Sequence, residues 1–342
     1  MEIVVSSDIS VPSPLATPRR WQDALKDAIR DPRQLCQALD LPEHYVAAAE
    51  RASQSFPLVV PWEFLARMQP GDPHDPLLRQ VLPLDAEQVA VPGFDHDPVA
   101  ESSASLAPGL LKKYAGRALM VTTPTCAVHC RYCFRRHFNY DSAPRAMADW
   151  SPAFEQLSAD PTIDEVLLSG GDPLTLPDLR LADLVQTLEG IPHLRRLRIH
   201  TRWPIVIPQR VTDELVALLR TTRLTTLVVI HANHPAELDS SVADAVGRLA
   251  DAGIMVLNQA VLLRGVNDSA DVLAALSRRL LELRVLPYYL HQLDAVAGAA
   301  HFHVSVERGQ QLIAALRAQL PGYAVPRYVQ EVPGAPGKVV LA

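Results

Sequence analysis

From about Arg117 the chain settles into an alternation of short apolar runs and amphipathic stretches, and this rhythm limits the fold more than any other feature of its 342 residues. Strand-like runs begin near Ala118, Glu165, Arg196, Thr225, Gly253 and Arg284, in ALMVTT, EVLLSG, RLRIHT, TTLVVIHA, GIMVLNQAVLL and RVLPYYLHQ. Between them lie PDLRLADLVQTLEG, TDELVALLRTT, SSVADAVGRLADAG and ADVLAALSRRLLELR, whose apolar residues recur with helical spacing. Parallel neighbours require crossovers, so six strand-helix units predict a parallel sheet with helices outside: an α/β fold, a (β/α)6 partial barrel. Two more units would be needed to close an eight-stranded barrel, and there is little room for them.

The N-terminal part lacks this rhythm. Trp21 to Gln54 reads as two helices broken near Pro42, and Phe56 to Pro108 is proline-rich, with only short segments such as PWEFLARM. The predicted organisation is an N-terminal helical and proline-rich extension over 1–108, an irregular collar rather than a second core. A barrel follows over 109–300, and then a C-terminal helix and tail over 301–342. A net charge of −6 gives no general attraction to nucleic acid or anionic membrane. The opening MEIVVSSDIS lacks the basic-then-apolar pattern of a secretory signal, and no apolar stretch reaches bilayer-spanning length, which predicts a cytoplasmic protein.

Sites of β/α barrels gather at the C-terminal ends of the strands. Polar residues collect there in this chain: Ser169-Gly170-Gly171-Asp172, His200-Thr201-Arg202, His231-Ala232-Asn233-His234, Asn258-Gln259 and His291-Gln292-Leu293-Asp294. Any one of these could be a local cap. Their succession points to a shared mouth.

After the first strand come Cys126, Cys130 and Cys133, spaced C-x3-C-x2-C in TPTCAVHCRYCFRR. That spacing is the signature of radical S-adenosylmethionine (SAM) enzymes, in which three thiolates hold three irons of a [4Fe-4S] cluster and leave the fourth open to SAM. The competing reading is a structural zinc site completed by His129 or His137. No second cysteine pair exists to complete a zinc ribbon, and the remaining Cys36 lies in a helical stretch, as a small buried hydrophobe would. A low-potential cluster and unpaired cysteines also require a reducing compartment. In SGGDP the paired glycines fit either close backbone approach to a ligand or an ordinary strand-to-helix turn.

Basic residues are almost all arginine; lysine occurs only at Lys26, Lys112, Lys113 and Lys338. Lys338 lies in the tail YVQEVPGAPGKVVLA. A lysine in such a loop is ordinarily just solvated, but pyridoxal phosphate (PLP) needs a lysine amine to hold its aldehyde, and the glycines would let backbone pass close to it. Lys26 falls on a helix face, while Lys112 and Lys113 suit phosphate binding.

The segments KKYAGRALMVTTPTCAVHCRYCFRRHF, LLSGGDPL, RWPIVIPQRVTDEL, HANHP, NQAVLLRGVND, PYYLHQLD and VPGAPGK together resemble the lysine 2,3-aminomutase family, most of all its elongation factor P β-lysylation branch. The resemblance covers roughly Lys112 to Lys338. It implies Lys338 as the PLP lysine, with Lys113, Tyr114 and Arg117 at the PLP phosphate. It places Gly170, Gly171, Asp172, His231 and Gln259 near SAM, Arg135 on the substrate carboxylate, and Asp294 and Glu331 on its ε-ammonium. A guanidinium can clamp a carboxylate with two parallel hydrogen bonds, and an ammonium needs anionic partners at the far end of a pocket.

Glu331 departs from the aspartate of the catabolic members, and only four residues follow Lys338, with no cysteine after Cys133 to bind a C-terminal zinc. The short end favours the elongation factor P branch, while the extra methylene of Glu331 bears on pocket depth or substrate stereochemistry. The implied reaction abstracts hydrogen from C3 of L-lysine and moves the nitrogen from C2 to C3. It yields (R)-β-lysine, which a separate β-lysyl ligase attaches to elongation factor P; a flavodoxin or ferredoxin would supply the electron. The alternatives are a free-standing lysine mutase of another pathway and a non-catalytic zinc or iron-sulfur protein.

Overall fold

The computed structural model describes residues 19–141 and 143–342. The reading of the first ten residues as free of a secretory signal lies outside them. Among the described residues no helix is long and apolar enough to cross a membrane.

Among the described residues ten strands form one sheet in chain order: β1 (Ser105–Ala107), β2 (Leu110–Tyr114), β3 (Arg117–Val121), β4 (Glu165–Ser169), β5 (Arg196–Thr201), β6 (Thr225–His231), β7 (Met255–Val261), β8 (Leu286–His291), β9 (Arg327–Gln330) and β10 (Val339–Val340). From β3 to β9 every neighbour is parallel, whereas β1, β2 and β10 flank them antiparallel. β10 does not pair with β1, so the barrel stays open. The six expected strands are β3 to β8, each within two residues of its expected start and each followed by a helix.

The helices form where the sequence provides both a cap and a stripe. Thr212, Asp239 and Ser305 accept at their side chains from Leu215 N, Val242 N and Arg308 N, satisfying donors that a helix start leaves free. In Ser240–Asp251 the buried residues Val242, Ala245, Val246 and Leu249 fall on one face against the sheet.

Strand β5 shows how the sheet is wetted on one side only. Leu197, Ile199 and Thr201 are buried beneath the helices, while Arg196, Arg198 and His200 alternate with them and are less covered. Polar side chains therefore enter the barrel interior from the strands themselves.

The stretch from Trp21 to Gln54 forms three helices rather than two: Trp21–Lys26, Pro32–Ala38 and Glu43–Ser53. Pro42 makes the expected break and Pro32 makes another, since proline lacks the N–H that would continue a helix. Residues 56–108 are irregular, as expected. They are not peripheral, however. Trp21, Leu35, Phe64 and Leu78 belong to the same hydrophobic cluster as Leu168, Ile199, Val228 and Leu290 of the barrel, and Trp21 meets Trp203 edge-on at 5.1 Å.

Candidate active site

A cavity of about 320 Å³ opens inside the sheet. All fifteen residues singled out from the sequence border it: Cys126, Cys130, Cys133, Arg135, Lys113, Tyr114, Arg117, Gly170, Gly171, Asp172, His231, Gln259, Asp294, Glu331 and Lys338. Most project from the C-terminal ends of β3 to β9. Tyr114 and Arg117 do not, because β2 and β3 meet at the opposite end, where Tyr114 pairs with Arg117. The cavity thus runs down the open interior rather than stopping at the mouth. Lys112, the neighbour of Lys113, points the other way along β2 and pairs with Asp160.

The cysteine loop is fixed from behind by the N-terminal part. Arg131 donates from Nε and Nη2 to Glu87 at 2.9 and 2.6 Å, and Arg136 donates to the same carboxylate at 2.6 Å, all three side chains being almost wholly buried. Arg131 also donates to the carbonyls of Phe56 and Pro57. His129 Nδ1 donates to Pro57 O, and His137 Nε2 donates to Ala297 O. Those bonds fix the tautomer and orientation of each ring. Among the described residues, no three His, Cys, Asp or Glu side chains converge on the position of a single ion. Three thiols spread along one cavity wall suit a polynuclear cluster, in which each sulfur takes its own iron. Burial pushes the Cys133 thiol up to about 11 and holds the Cys126 thiol well above its ordinary value, so metal binding must release their protons.

The SGGDP loop is zipped onto that cysteine loop. Gly171 N donates to Thr123 O at 2.6 Å and Asp172 N to Thr125 O at 2.8 Å. A Cβ on Gly171 would lie 2.4 Å from Thr125 O, and Gly170, at φ +123°, would place one 2.8 Å from Thr123 O. The glycines thus permit close approach of two protein backbones.

Asp172, expected near SAM, borders the cavity with its carboxylate engaged within the protein. Its Oδ1 accepts from Leu174 N and Thr201 Oγ1, and its Oδ2 accepts from Arg202 N at 2.6 Å. Burial raises this carboxyl to about 6. Both oxygens hold the loop, although the residue borders the cavity.

Arg135, expected at the substrate carboxylate, bonds protein groups in this structure. Its Nε and Nη2 donate bidentately to Glu101 at 2.7 Å each, and its Nη1 donates to Ser169 Oγ at 2.9 Å and Gly170 O at 3.2 Å. The fork expected to clamp a substrate carboxylate already holds a protein carboxylate, leaving the Nη1 side as the edge where a replaceable hydroxyl sits. Glu101, 4% exposed, is a site residue that the sequence did not disclose. It lies in the proline-rich stretch with no motif around it.

Lys338 donates to Glu331, which also accepts from Tyr114. Lys113 Nζ lies 3.6 Å from Glu331 and 3.8 Å from Glu101. Asp294 faces the same charges with its carboxyl pushed up to about 7, by burial first and by Glu331 and Glu101 next, against the pull of Lys338 and Lys113. An amine on the wall, with Lys113 and Arg117 as nearby cations, fits PLP and its phosphate.

His231 is neutral, since burial lowers it to about 3. Its Nε2 lies 2.8 Å from the Tyr132 hydroxyl and accepts from Asn233 Nδ2, which keeps its proton on Nδ1. Two other strand-end polar residues, Asn258 and Gln292, are structural. Asn258 bonds both backbone groups of Ala232, and Gln292 joins Tyr328 to Val304 O.

Residues 120–276 match the family profile described as the Radical SAM superfamily. Over 324 residues the chain is 46% identical to the L-lysine 2,3-aminomutase of Haemophilus influenzae, covering 95% of this chain and 96% of that one. It is likewise 46% identical over 330 residues to the Escherichia coli L-lysine 2,3-aminomutase, with 96% of each covered. It is 36% identical over 322 residues to that of Clostridium subterminale, spanning 93% of this chain and 76% of the relative. The chain therefore belongs to the L-lysine 2,3-aminomutase family of radical SAM enzymes, isomerases whose membership implies a [4Fe-4S] cluster, SAM and PLP as cofactors.

Proposed function

We propose that this chain converts L-lysine to (R)-β-lysine in a PLP-dependent 2,3-amino shift. We further propose that the product passes to a β-lysyl ligase acting on elongation factor P, in the cytoplasm, with flavodoxin or ferredoxin as electron donor. The supporting observation is the convergence of a three-thiol wall, the Lys338 amine and the acidic pair Asp294 and Glu331 on one cavity. When bound, the cluster and SAM supply a carbon radical and PLP carries the migrating nitrogen.

The protein's part is binding and placement. Cys126, Cys130 and Cys133 hold the cluster. Gly170 and Gly171, with Asp172 fixing their turn, shape the SAM-facing edge. His231 offers its Nδ1–H to SAM, and Gln259 lies alongside. Lys113, Tyr114 and Arg117 take the PLP phosphate, and Lys338 tethers its aldehyde. Arg135 meets the substrate carboxylate with its Nη1 edge, where Ser169 Oγ can be displaced. Asp294 and Glu331 hold the ε-ammonium, so the two ends of lysine are fixed and C3 is presented to the radical source. In these terms 1–108 supports the cysteine loop, 109–300 holds cluster and SAM, and 301–342 brings the PLP lysine.

An anaerobic assay of the reconstituted protein with lysine, SAM, PLP and dithionite, read by chiral amino-acid analysis, tests the reaction. (R)-β-lysine is the expected product; none from a protein with an intact cluster would direct attention to another amino acid. Adding the ligase and elongation factor P should then increase the factor's mass by one β-lysyl group. Borohydride should trap PLP on the tail peptide of the native chain and not on that of Lys338→Ala.

A further inference from the structure

We propose that Arg202 sets the reduction potential of the iron-sulfur cluster, by presenting a buried positive charge and a hydrogen bond to the sulfur of Cys130; this rests on the reading of Cys130 as a cluster ligand. Arg202 stands just past the end of β5 and is 6% exposed. Its Nη1 donates to Cys130 Sγ, and its Nη2 donates to Gln80 Oε1 at 2.6 Å and to Glu237 Oε2 at 3.0 Å. The guanidinium lies 5.3 Å from the ring of Phe64 and 5.8 Å from that of Tyr132. Its backbone is anchored as firmly, with N donating to Asp172 Oδ2. Four separated parts of the chain therefore fix one cation against one sulfur.

A plain ion pair with Glu237 would not require this arrangement. Glu237 is fully buried, and its Oε1 already accepts from Gln80 Nε2, Asn233 N and His234 N at 3.0, 2.8 and 3.0 Å. Arg202 adds one bond to Oε2 and turns its other amino group to the sulfur. Adding an electron makes a cluster more negative. A cation and a hydrogen bond at a ligand sulfur stabilise that state and raise the potential, the more so where little water screens them. Glu237 opposes the effect from the far side of the same guanidinium. Arg202 is thus a positioning and tuning residue that acts through Cys130.

The test is an EPR-monitored redox titration of anaerobically reconstituted wild-type, Arg202→Gln, Arg202→Lys and Glu237→Gln proteins, each with iron and sulfide counted. Arg202→Gln should shift the potential downward by about a tenfold change in the one-electron equilibrium constant, about 59 mV. Arg202→Lys should recover part of that shift because the charge remains, and Glu237→Gln should move the potential the opposite way. A structural role would change cluster content without these opposed signs. If Arg202→Gln fails to retain four irons, the sign of the Glu237→Gln shift decides. Potentials equal to wild type in variants with complete clusters would overturn the tuning role alone. Full cluster retention in Cys130→Ala would instead overturn the ligand reading beneath it.

Discussion

Lys338 Nζ donates to Glu331 Oε2 across 2.6 Å, and Tyr114 donates its hydroxyl to Oε1 of the same carboxylate at 2.6 Å. Burial alone would raise the Glu331 carboxyl; the Lys338 charge, these two hydrogen bonds and Lys113 hold it below its ordinary value. Glu331 thus binds an ammonium already, that of the chain's own lysine. A carboxylate already placed to hold one ammonium is the kind of partner that the proposed function requires for the ε-ammonium of lysine.

Replacing Glu331 by glutamine should therefore weaken lysine binding without removing the PLP tether. A charge-assisted hydrogen bond contributes about 1.5–3 kcal/mol, so KM for lysine should rise about ten- to a hundredfold. Borohydride trapping at Lys338 should persist, and Glu331→Asp should fall between the two in KM. Steady-state kinetics alongside peptide mapping check this.

With Asp294 at the ε-ammonium, as proposed, lysine affinity should depend on pH. The Asp294 carboxyl, near 7 in the ligand-free fold, keeps a proton that the unfolded chain has lost from the ordinary carboxylate range upward. Folding stability should therefore fall as pH rises through that window. Lysine binding has the opposite sign, because the ammonium favours the ionised form. Affinity should climb by up to about tenfold per pH unit below 7 and level off above it. Calorimetry in buffers of different ionisation enthalpy should detect proton release near neutrality, and Asp294→Asn should abolish it.

Gly171→Ala should expel the cysteine loop from its place. The new methyl would meet Thr125 O at 2.4 Å and Thr125 N at 2.7 Å, both backbone atoms that cannot swing aside. Gly322 has an ordinary φ and nothing within 4 Å of a Cβ, so Gly322→Ala should be neutral. Iron content per chain after reconstitution should drop sharply in the first variant and stay at the wild-type level in the second.

Glu87→Gln leaves two buried guanidiniums, Arg131 and Arg136, facing a neutral amide. Breaking a buried ion pair on one side costs about 3–5 kcal/mol. Urea denaturation should show a loss of that order, and the oxidised cluster should bleach faster in air because its loop is no longer pinned.

Much of this architecture was legible beforehand for a physical reason: strands β3 to β8 are apolar on the helix-covered face and the helices carry periodic stripes. β9 was not, because Arg327–Gln330 is too short to display alternation. Lys112 and Lys113 concealed β2, since charged residues read as surface until a polar cavity accounts for one of them. Within the site, motif residues could be placed because chemistry restricts their type. Glu101, Glu87 and Gln80 could not, since they act by filling the hydrogen-bonding needs of arginines far away in the chain. CRYCFRR did hold one unused signal: arginines between and after metal-binding cysteines must find acids if they are buried.

The grip of Glu87 and Phe56-Pro57 on the cysteine loop makes the barrel an indivisible half of a larger object. A fragment starting at residue 109 would retain Cys126, Cys130, Cys133, Gly170, Gly171 and Lys338, yet leave the buried guanidiniums of Arg131, Arg135 and Arg136 without Glu87 and Glu101. Protein engineers seeking a minimal radical-generating scaffold from this chain should trim elsewhere, for the proline-rich approach to the first strand is the splint on which the cofactor loop sets.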